Sequence, residues 1–120
     1  MKRITVKKGT YYLGDPCYCF QDGNHERWMD ILKSSEHLEQ PYAKGGKVVV
    51  AFGTAHGDGE YHDQYGNHYP VDAGIIGLVS KSLATTDPEG AALKVKFDSP
   101  VECWEDGGIL HFGPYTINTR

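Results

Sequence analysis

The sequence predicts a mainly β fold of the α+β class, with one helix. The chain has 15 glycines among its 120 residues, and they separate short runs rich in Val, Ile, Tyr and Thr, a pattern typical of strands joined by tight turns. Only one segment, at about residues 25–35, has the spacing of an amphipathic helix. The regular alternation of helices and strands that a doubly wound α/β fold requires is absent. We therefore expect an antiparallel β-sandwich or a partly closed barrel of about eight short strands.

The N-terminal part of the chain predicts a hairpin followed by the helix. Residues 2–6 and 10–13 have strand composition and flank Lys7-Lys8-Gly9, a turn signal. Gly14-Asp15-Pro16 then ends the second strand, because proline fixes its own φ and restricts the residue before it. The helix is predicted to begin after Asn24, a favourable cap. Its buried face is predicted to consist of Trp28, Ile31, Leu32 and Ser35.

Apolar runs predict the strands that follow. Lys47–Gly53 is a continuous apolar run, which indicates a central strand buried on both faces, and Gly74–Val79 is a second strongly apolar strand. Leu93–Phe97 alternates apolar and charged residues, as a half-exposed strand does. The other strands are predicted at Tyr61–His62 and Tyr69–Asp72 around a turn at Gln64–Asn67, at Val101–Trp104 and Ile109–Phe112 around Asp106–Gly108, and at Tyr115–Asn118.

Composition and charge narrow the classes of function. The formal net charge is −4 and the basic residues are scattered, so nucleic-acid binding is not expected. The length fits a single β-rich domain over residues 1–120. The three cysteines are an odd number, which argues against a secreted disulfide framework, and neither a signal peptide nor a membrane span is apparent. We predict a protein of the bacterial or infected-cell cytoplasm, with a homodimer as the default assembly.

The segment from Thr54 to Asp72 is the most unusual part of the sequence. It is rich in His, Asp, Glu and Tyr, and no Lys or Arg occurs between Lys47 and Lys81. Such a negative field would attract a cation or a cationic group. One interpretation is a ligand pocket, in which Gly57-Asp58-Gly59 lets the backbone approach a ligand closely and tyrosines supply stacking faces. Another is a solvated hairpin, because Gly, Asp, Asn and His are ordinary turn residues.

A divalent metal site is the third interpretation of this segment. Imidazole nitrogens and carboxylate oxygens suit zinc, manganese or iron. On a strand, His56 and Asp58 would share one face, and so would Glu60 and His62. No established ligand spacing is present, so no cofactor is predicted. The alternative is a metal-dependent hydrolase that uses a metal-bound water. Its ligands would be His56, Asp58, His62 and Asp72.

The cysteines predict no obvious chemistry. If residues 17–19 form a strand, both the Cys17 and Cys19 thiols lie on one face, and at that spacing they are poorly placed for an unstrained mutual disulfide. They could join a metal site with Cys103 or a histidine, but free cysteines are more often small buried hydrophobic residues.

Three short motifs give the chain a family resemblance. Gly14-Asp15-Pro16-Cys17-Tyr18 is followed by a helix tryptophan, then by Gly57-Asp58-Gly59-Glu60-Tyr61, and then by the run from Val71 to Gly77, VDAGIIG. This order, over roughly residues 10–80, resembles a group of small uncharacterised proteins of tailed phages and bacteria. The resemblance implies a phage-encoded accessory protein that binds a host protein or sequesters a signalling molecule, for example as an antagonist of host defence. It brings no established activity.

Together these observations make a non-enzymatic binding module the leading hypothesis. Its target would be a small polar ligand or a host protein. The hydrolase described above and a structural virion component are the alternatives. The predicted ligand-binding residues are Asp15, Tyr18, Thr54, Asp58, Tyr61 and Asp72. Asp15 and Asp72 also have a purely structural interpretation, as caps of backbone amides at turns.

Overall fold

A computed structural model describes residues 3–21 and 26–120 of the chain. These residues form eleven strands, one α-helix and one short 3₁₀ helix. The strands are β1 (Ile4–Val6), β2 (Gly9–Gly14), β3 (Tyr42–Lys44), β4 (Lys47–Gly53), β5 (Gly59–His62), β6 (His68–Val71), β7 (Ile75–Ser80), β8 (Ala92–Phe97), β9 (Val101–Asp106), β10 (Ile109–Phe112) and β11 (Tyr115–Asn118). The helices are the 3₁₀ helix at Pro16–Cys19 and α1 at Glu26–Ser34.

Every strand pairing is antiparallel, and the strands belong to three sheets. The first sheet has the order β1-β9-β10-β11, and the second has the order β3-β4-β7-β2-β8. Strands β5 and β6 form a separate hairpin, which an isolated bridge between Asp63 and Ile117 links to β11. The predicted mainly β fold is confirmed. Within the described ranges no sheet closes into a barrel, and eleven strands replace the expected eight or so because short pairings such as β3 with β4 also occur.

The main core lies where the two large sheets and the hairpin meet. The four-stranded sheet contributes Cys103, Leu110 and Phe112, and the five-stranded sheet contributes residues such as Leu13 and Leu78. The hairpin adds its own buried side chains to the same cluster, which are Tyr69 and Val71. One face of the hairpin therefore packs against the core, and the other face is exposed to solvent.

A second core covers the opposite face of the five-stranded sheet. Ile31 of α1 is fully buried there with Val49 and Val79, and the Trp28 ring stacks on Phe20 with 5.4 Å between centroids. The central strands β4 and β7 thus meet apolar residues on both faces, as the continuous apolar runs predict. The predicted helix face is confirmed, because Ile31 and Ser35 are buried while Trp28 and Leu32 pack against this core. The predicted cap Asn24 and helix residue 25 lie outside the described residues.

Two local predictions are wrong. The N-terminal strand does not form a hairpin with its neighbour, since β1 pairs with β9 in one sheet whereas β2 pairs with β7 and β8 in the other. Residues 17–19 are not a strand. They belong to the 3₁₀ helix, which Asp15 caps and Pro16 opens, so the argument from strand alternation about the two thiols does not apply.

Neither helix within residues 3–21 and 26–120 has the length and apolar character that a membrane span requires.

Candidate functional site

Asp15 is a structural residue at the centre of the predicted site. Its side chain is completely buried where β2 ends. One carboxylate oxygen accepts a hydrogen bond from the Cys17 backbone N–H at 3.0 Å. The other accepts from the N–H groups of Asp72 and Ala73, at 2.7 and 2.6 Å. Asp15 therefore joins the 3₁₀ helix to the turn between β6 and β7, and it presents no free oxygen to a ligand. This geometry matches the capping alternative that the sequence allows for Asp15.

The side chains of Thr54 and Tyr61 stabilise the segment Gly57-Asp58-Gly59, which we call the glycine loop, by hydrogen bonds. The Thr54 hydroxyl lies 2.5 Å from the Gly57 carbonyl oxygen, and the Tyr61 hydroxyl donates to the same oxygen at 2.9 Å. The Thr54 backbone N–H donates to the Gly74 carbonyl at 3.0 Å, which ties this loop to the turn before β7. Both side chains are half-buried and already satisfied. They position the loop rather than offer groups to a ligand.

Asp58, Asp72 and Tyr18 converge beside Asp15 and form what we call the acidic corner. Asp58 and Asp72 are exposed, whereas Tyr18 is half-buried. A Cβ on Gly74 would lie 3.9 Å from an Asp58 carboxylate oxygen, so the glycine loop packs directly against the β6–β7 turn. Burial raises the pKa of Tyr18, and nearby negative charges, including those of Asp72 and Asp58, raise it further. The structure thus brings together two exposed carboxylates and one half-buried phenol of the predicted site.

Among the residues that the structure describes, no basic side chain forms an ion pair with Asp58 or Asp72. The ion pairs found within residues 3–21 and 26–120 join Arg3 to Glu102 and His68 to Glu60. Asp58 and Asp72 take part in neither pair, and the sequence around them lacks Lys and Arg from residue 48 to residue 80. Two exposed carboxylates held near a protonated phenol can accept hydrogen bonds from a cationic group.

The three thiols are poor nucleophiles. Burial raises the pKa of Cys19 and of Cys103 to about 12. Burial, followed by the charge and hydrogen bond of Asp15, also raises the pKa of Cys17 well above the ordinary thiol value. Cys103 lies in the core between the sheets and Cys19 in the core under α1, so the cysteines do not form one thiolate site. Their expected role as buried apolar residues is confirmed for Cys19 and Cys103.

The outer face of the hairpin carries a second cluster, Glu60, His62 and His68, which we call the hairpin triad. Strand register places His62 opposite His68, with Glu60 two residues before His62 on the same face. One ligand atom from each of the three side chains lies within 4.8 Å of the others, and all three residues are exposed. The set predicted for the hydrolase, His56 with Asp58, His62 and Asp72, does not form such a group, although all four residues are described. Of that set, only His62 belongs to a group of three ligand-type side chains.

Asp63 is the residue that sequence reasoning missed. It is buried at the tip of the hairpin, where its carboxylate accepts hydrogen bonds from the backbone N–H groups of Tyr65 and Asn67, at 2.8 and 3.0 Å. The Asn67 amide and the Tyr69 hydroxyl also donate to it, at 2.9 and 2.6 Å. Burial by itself raises the pKa of Asp63, but these hydrogen bonds outweigh it and lower the pKa below the ordinary value. The Asp-x-x-x-Asn spacing is the signal that a capped turn was present.

A separate open cleft of about 490 Å³ lies between the turn after α1 and the ends of β4 and β7. Phe52 and Ile75 line it, and His37, Glu39 and Glu105 stand at its rim. Thr54 is the one predicted site residue among its lining residues. The acidic corner and the hairpin triad are therefore surface sites outside this cleft.

No known protein family, curated protein or solved structure matches the chain. The resemblance to the phage and bacterial group stays a prediction.

Proposed function

We propose that this protein is a non-enzymatic binding module whose recognition surface is the acidic corner. One observation carries the proposal. Asp58 and Asp72 are exposed and without a cationic partner among the described residues, yet the backbone on either side of them is fixed by partly buried hydrogen bonds with the side chains of Asp15, Thr54 and Tyr61. The fixed backbone therefore presents both carboxylates on one part of the surface. Such preorganisation reduces the ordering cost of binding.

The chemistry of the corner favours a target with a cationic group. Two carboxylates can accept the paired N–H donors of a guanidinium, or surround an ammonium group. Tyr18 can add a hydroxyl group, and burial and the neighbouring negative charges raise its pKa further above neutral pH. Each exposed charge pair contributes little by itself, so we expect the target to make several contacts. A small polar molecule with more than one amine, or a basic segment of a partner protein, would meet this requirement.

The biological setting that we propose follows the resemblance. A phage-encoded accessory protein in the bacterial cytoplasm would meet host proteins and host signalling molecules, and an antagonist of host defence is one such role. Hydrolysis is not proposed, because the four predicted metal ligands do not form one group that could hold an ion. A virion role has no structural observation in its favour.

Titration by nuclear magnetic resonance tests the proposal. A tetra-arginine peptide and spermidine serve as the cationic probes for ¹⁵N-labelled protein. We expect chemical-shift changes at residues 57–61 and 72–74, and a loss of affinity of about tenfold in the double variant Asp58→Asn/Asp72→Asn. The fold should survive, since neither side chain accepts a hydrogen bond within the described structure.

The matched control is Glu89→Gln/Asp98→Asn, which removes two exposed carboxylates elsewhere. Both double variants change the formal net charge from −4 to −2, because each loses two negative charges. If the control loses affinity as much as the corner variant, the probes sense overall charge only and the proposal is wrong. An absence of shifts at residues 57–61 and 72–74 would also overturn it, as would unfolding of Asp58→Ala, which would make Asp58 a turn residue.

A further inference from the structure

The hairpin triad lies on a rigid part of the molecule. The inward face of the β5–β6 hairpin is anchored by Tyr69 and Val71, and its tip is closed by the four hydrogen bonds to Asp63. Gln64 extends this support, since its amide donates to the Pro114 carbonyl at 2.6 Å and accepts from the Thr116 N–H at 2.8 Å. The backbone positions of the triad are therefore set by interactions that do not involve the triad side chains.

The triad side chains are close together, accessible and chemically suited to one ion. The His68 Nδ1 atom lies 2.5 Å from a Glu60 carboxylate oxygen, and the rings of His62 and His68 are 4.2 Å apart, edge to face. Nitrogen and oxygen ligands bound to one tetrahedral zinc ion at about 2.1 Å lie roughly 3.4 Å apart. Small rotations of exposed side chains bridge this difference, because 62% of the His68 side chain and 58% of the Glu60 side chain are accessible.

We propose that the hairpin triad binds a divalent transition-metal ion, with Zn²⁺ as the principal candidate. Two imidazoles and one carboxylate are the ligand types that catalytic and surface zinc sites use, and they leave at least one coordination position for water or for a group of a partner. The same donors select Cu²⁺ and Ni²⁺ over Mg²⁺ and Ca²⁺, which prefer all-oxygen sites. The hairpin triad shares no residue with the acidic corner, so this inference goes beyond the proposed function and does not depend on it.

The local charge supports a cation at this position. Asp58 and Asp72 flank the hairpin at its base, and Lys and Arg are absent from residues 48–80. At present the Glu60 carboxylate is paired with His68. A metal ion would take the place of this contact between Glu60 and His68 and add the imidazole of His62, so that three neighbouring side chains hold one ion.

Isothermal titration of tag-free protein with ZnCl₂, followed by native mass spectrometry, tests the inference. We expect one Zn²⁺ per chain and no measurable uptake of Mg²⁺. The double variant His62→Gln/His68→Gln should bind Zn²⁺ more weakly by at least about tenfold, and Glu60→Gln by a smaller factor. In the wild-type protein, the ring ¹⁵N signals of His62 and His68 should shift on titration, while that of His37 should not.

The matched control is His37→Gln/His56→Gln, which removes two exposed histidines outside the triad. This control should bind Zn²⁺ as the wild-type protein does. Equal loss in the control, unchanged binding in His62→Gln/His68→Gln, or no uptake by the wild-type protein would each overturn the inference. The Asp58→Asn/Asp72→Asn variant keeps all three ligands and should retain the ion, so failure of the acidic corner and failure of the metal site give different results.

Discussion

Replacement of Asp15 by asparagine should destabilise the whole protein and not only its N-terminal turn. The substitution keeps the shape of the side chain but removes its charge and turns one acceptor oxygen into an N–H₂ donor. The carboxylate now accepts three backbone hydrogen bonds, from Cys17 on one side and from Asp72 and Ala73 on the other. An asparagine oxygen can face only one of these two sides.

The size of the effect follows from this geometry. In the less costly orientation, the amide oxygen faces Asp72 and Ala73, and the amide N–H₂ group faces the Cys17 N–H. The partly buried Cys17 N–H then loses its acceptor, which costs about 1–3 kcal/mol, and the bonds from Asp72 and Ala73 go to a neutral oxygen instead of a carboxylate, at about 0.5–1 kcal/mol each. Relief of repulsion from nearby carboxylates offsets part of this cost. We expect the free energy of unfolding to fall by about 3 kcal/mol, a large share of the stability of a typical domain.

Urea unfolding monitored by tryptophan fluorescence measures this change, and Asp98→Asn is the control. The exposed Asp98 should change stability by less than about 0.5 kcal/mol when it is replaced. Hydrogen exchange at the Asp72 and Ala73 amides should accelerate in Asp15→Asn. A loss of less than about 1 kcal/mol would contradict the capping role. So would a variant of unchanged stability that no longer binds tetra-arginine, because Asp15 would then act as a ligand-binding group.

Two further substitutions test the hairpin and the central sheet. Asp63→Asn should lower the free energy of unfolding by about 2 kcal/mol at neutral pH, since it weakens the bonds from Tyr69 and the turn amides. The pKa of Asp63 is lowered in the folded state, so its stabilisation is present above the unfolded value of about 3.9 and is lost as the pH falls through the folded value. Urea unfolding between neutral pH and pH of about 3 should therefore show a steeper acid loss for the wild type than for the variant, and parallel profiles would contradict this. Gly77→Ala should lower the free energy of unfolding by about 3 kcal/mol or more, because a Cβ at this position would lie 2.2 Å from the Val50 carbonyl oxygen. Thermal unfolding measures this loss, and Gly53→Ala is the control, since a Cβ on Gly53 would meet open space. An equal effect of the two glycine variants would contradict the packing argument.

Strands were predictable from the sequence where the pattern of apolar and polar residues directly reflects which faces of the strand are buried. Lys47–Gly53 is apolar at successive positions because both faces of β4 are covered, one by the main core and one by the core under α1. Leu93–Phe97 alternates because β8 has one solvent face. In both strands the local pattern and the burial agree, and the prediction needs no knowledge of the partner strand.

Pairings between distant strands were not predictable in the same way. Lys7-Lys8-Gly9 signals a turn, and a turn between two short strands favours a hairpin. The chain instead passes from one sheet to the other at this point, and β1 pairs with β9, about a hundred residues away. Nothing in residues 4–6 distinguishes these outcomes, because three residues carry too little pattern to select a partner.

The hairpin triad shows how register limits prediction of a site. A hairpin with a turn near Gln64–Asn67 is predictable from Tyr, Gly and Asn. Whether the His68 side chain points to solvent or to the core, however, depends on the length of the loop. A shift of one residue would turn His68 toward the core and place Tyr69 in solvent. The capped turn from Asp63 to Asn67 fixes the pairing of His62 with His68, and this pairing brings Glu60, His62 and His68 together instead of the predicted set with His56.

The three motifs behind the family resemblance meet at one place in the fold. Asp15 of the first motif binds the amides of Asp72 and Ala73 in the third, and Asp58 of the second lies against Gly74. Proteins that share these motifs would share the construction of this corner, because this construction requires only backbone capping by the aspartate and close contacts at the glycines. A shared construction does not require a shared ligand. What such a protein binds would depend on side chains that the construction leaves free, and in this chain those are Asp58, Asp72 and the neighbouring hairpin triad.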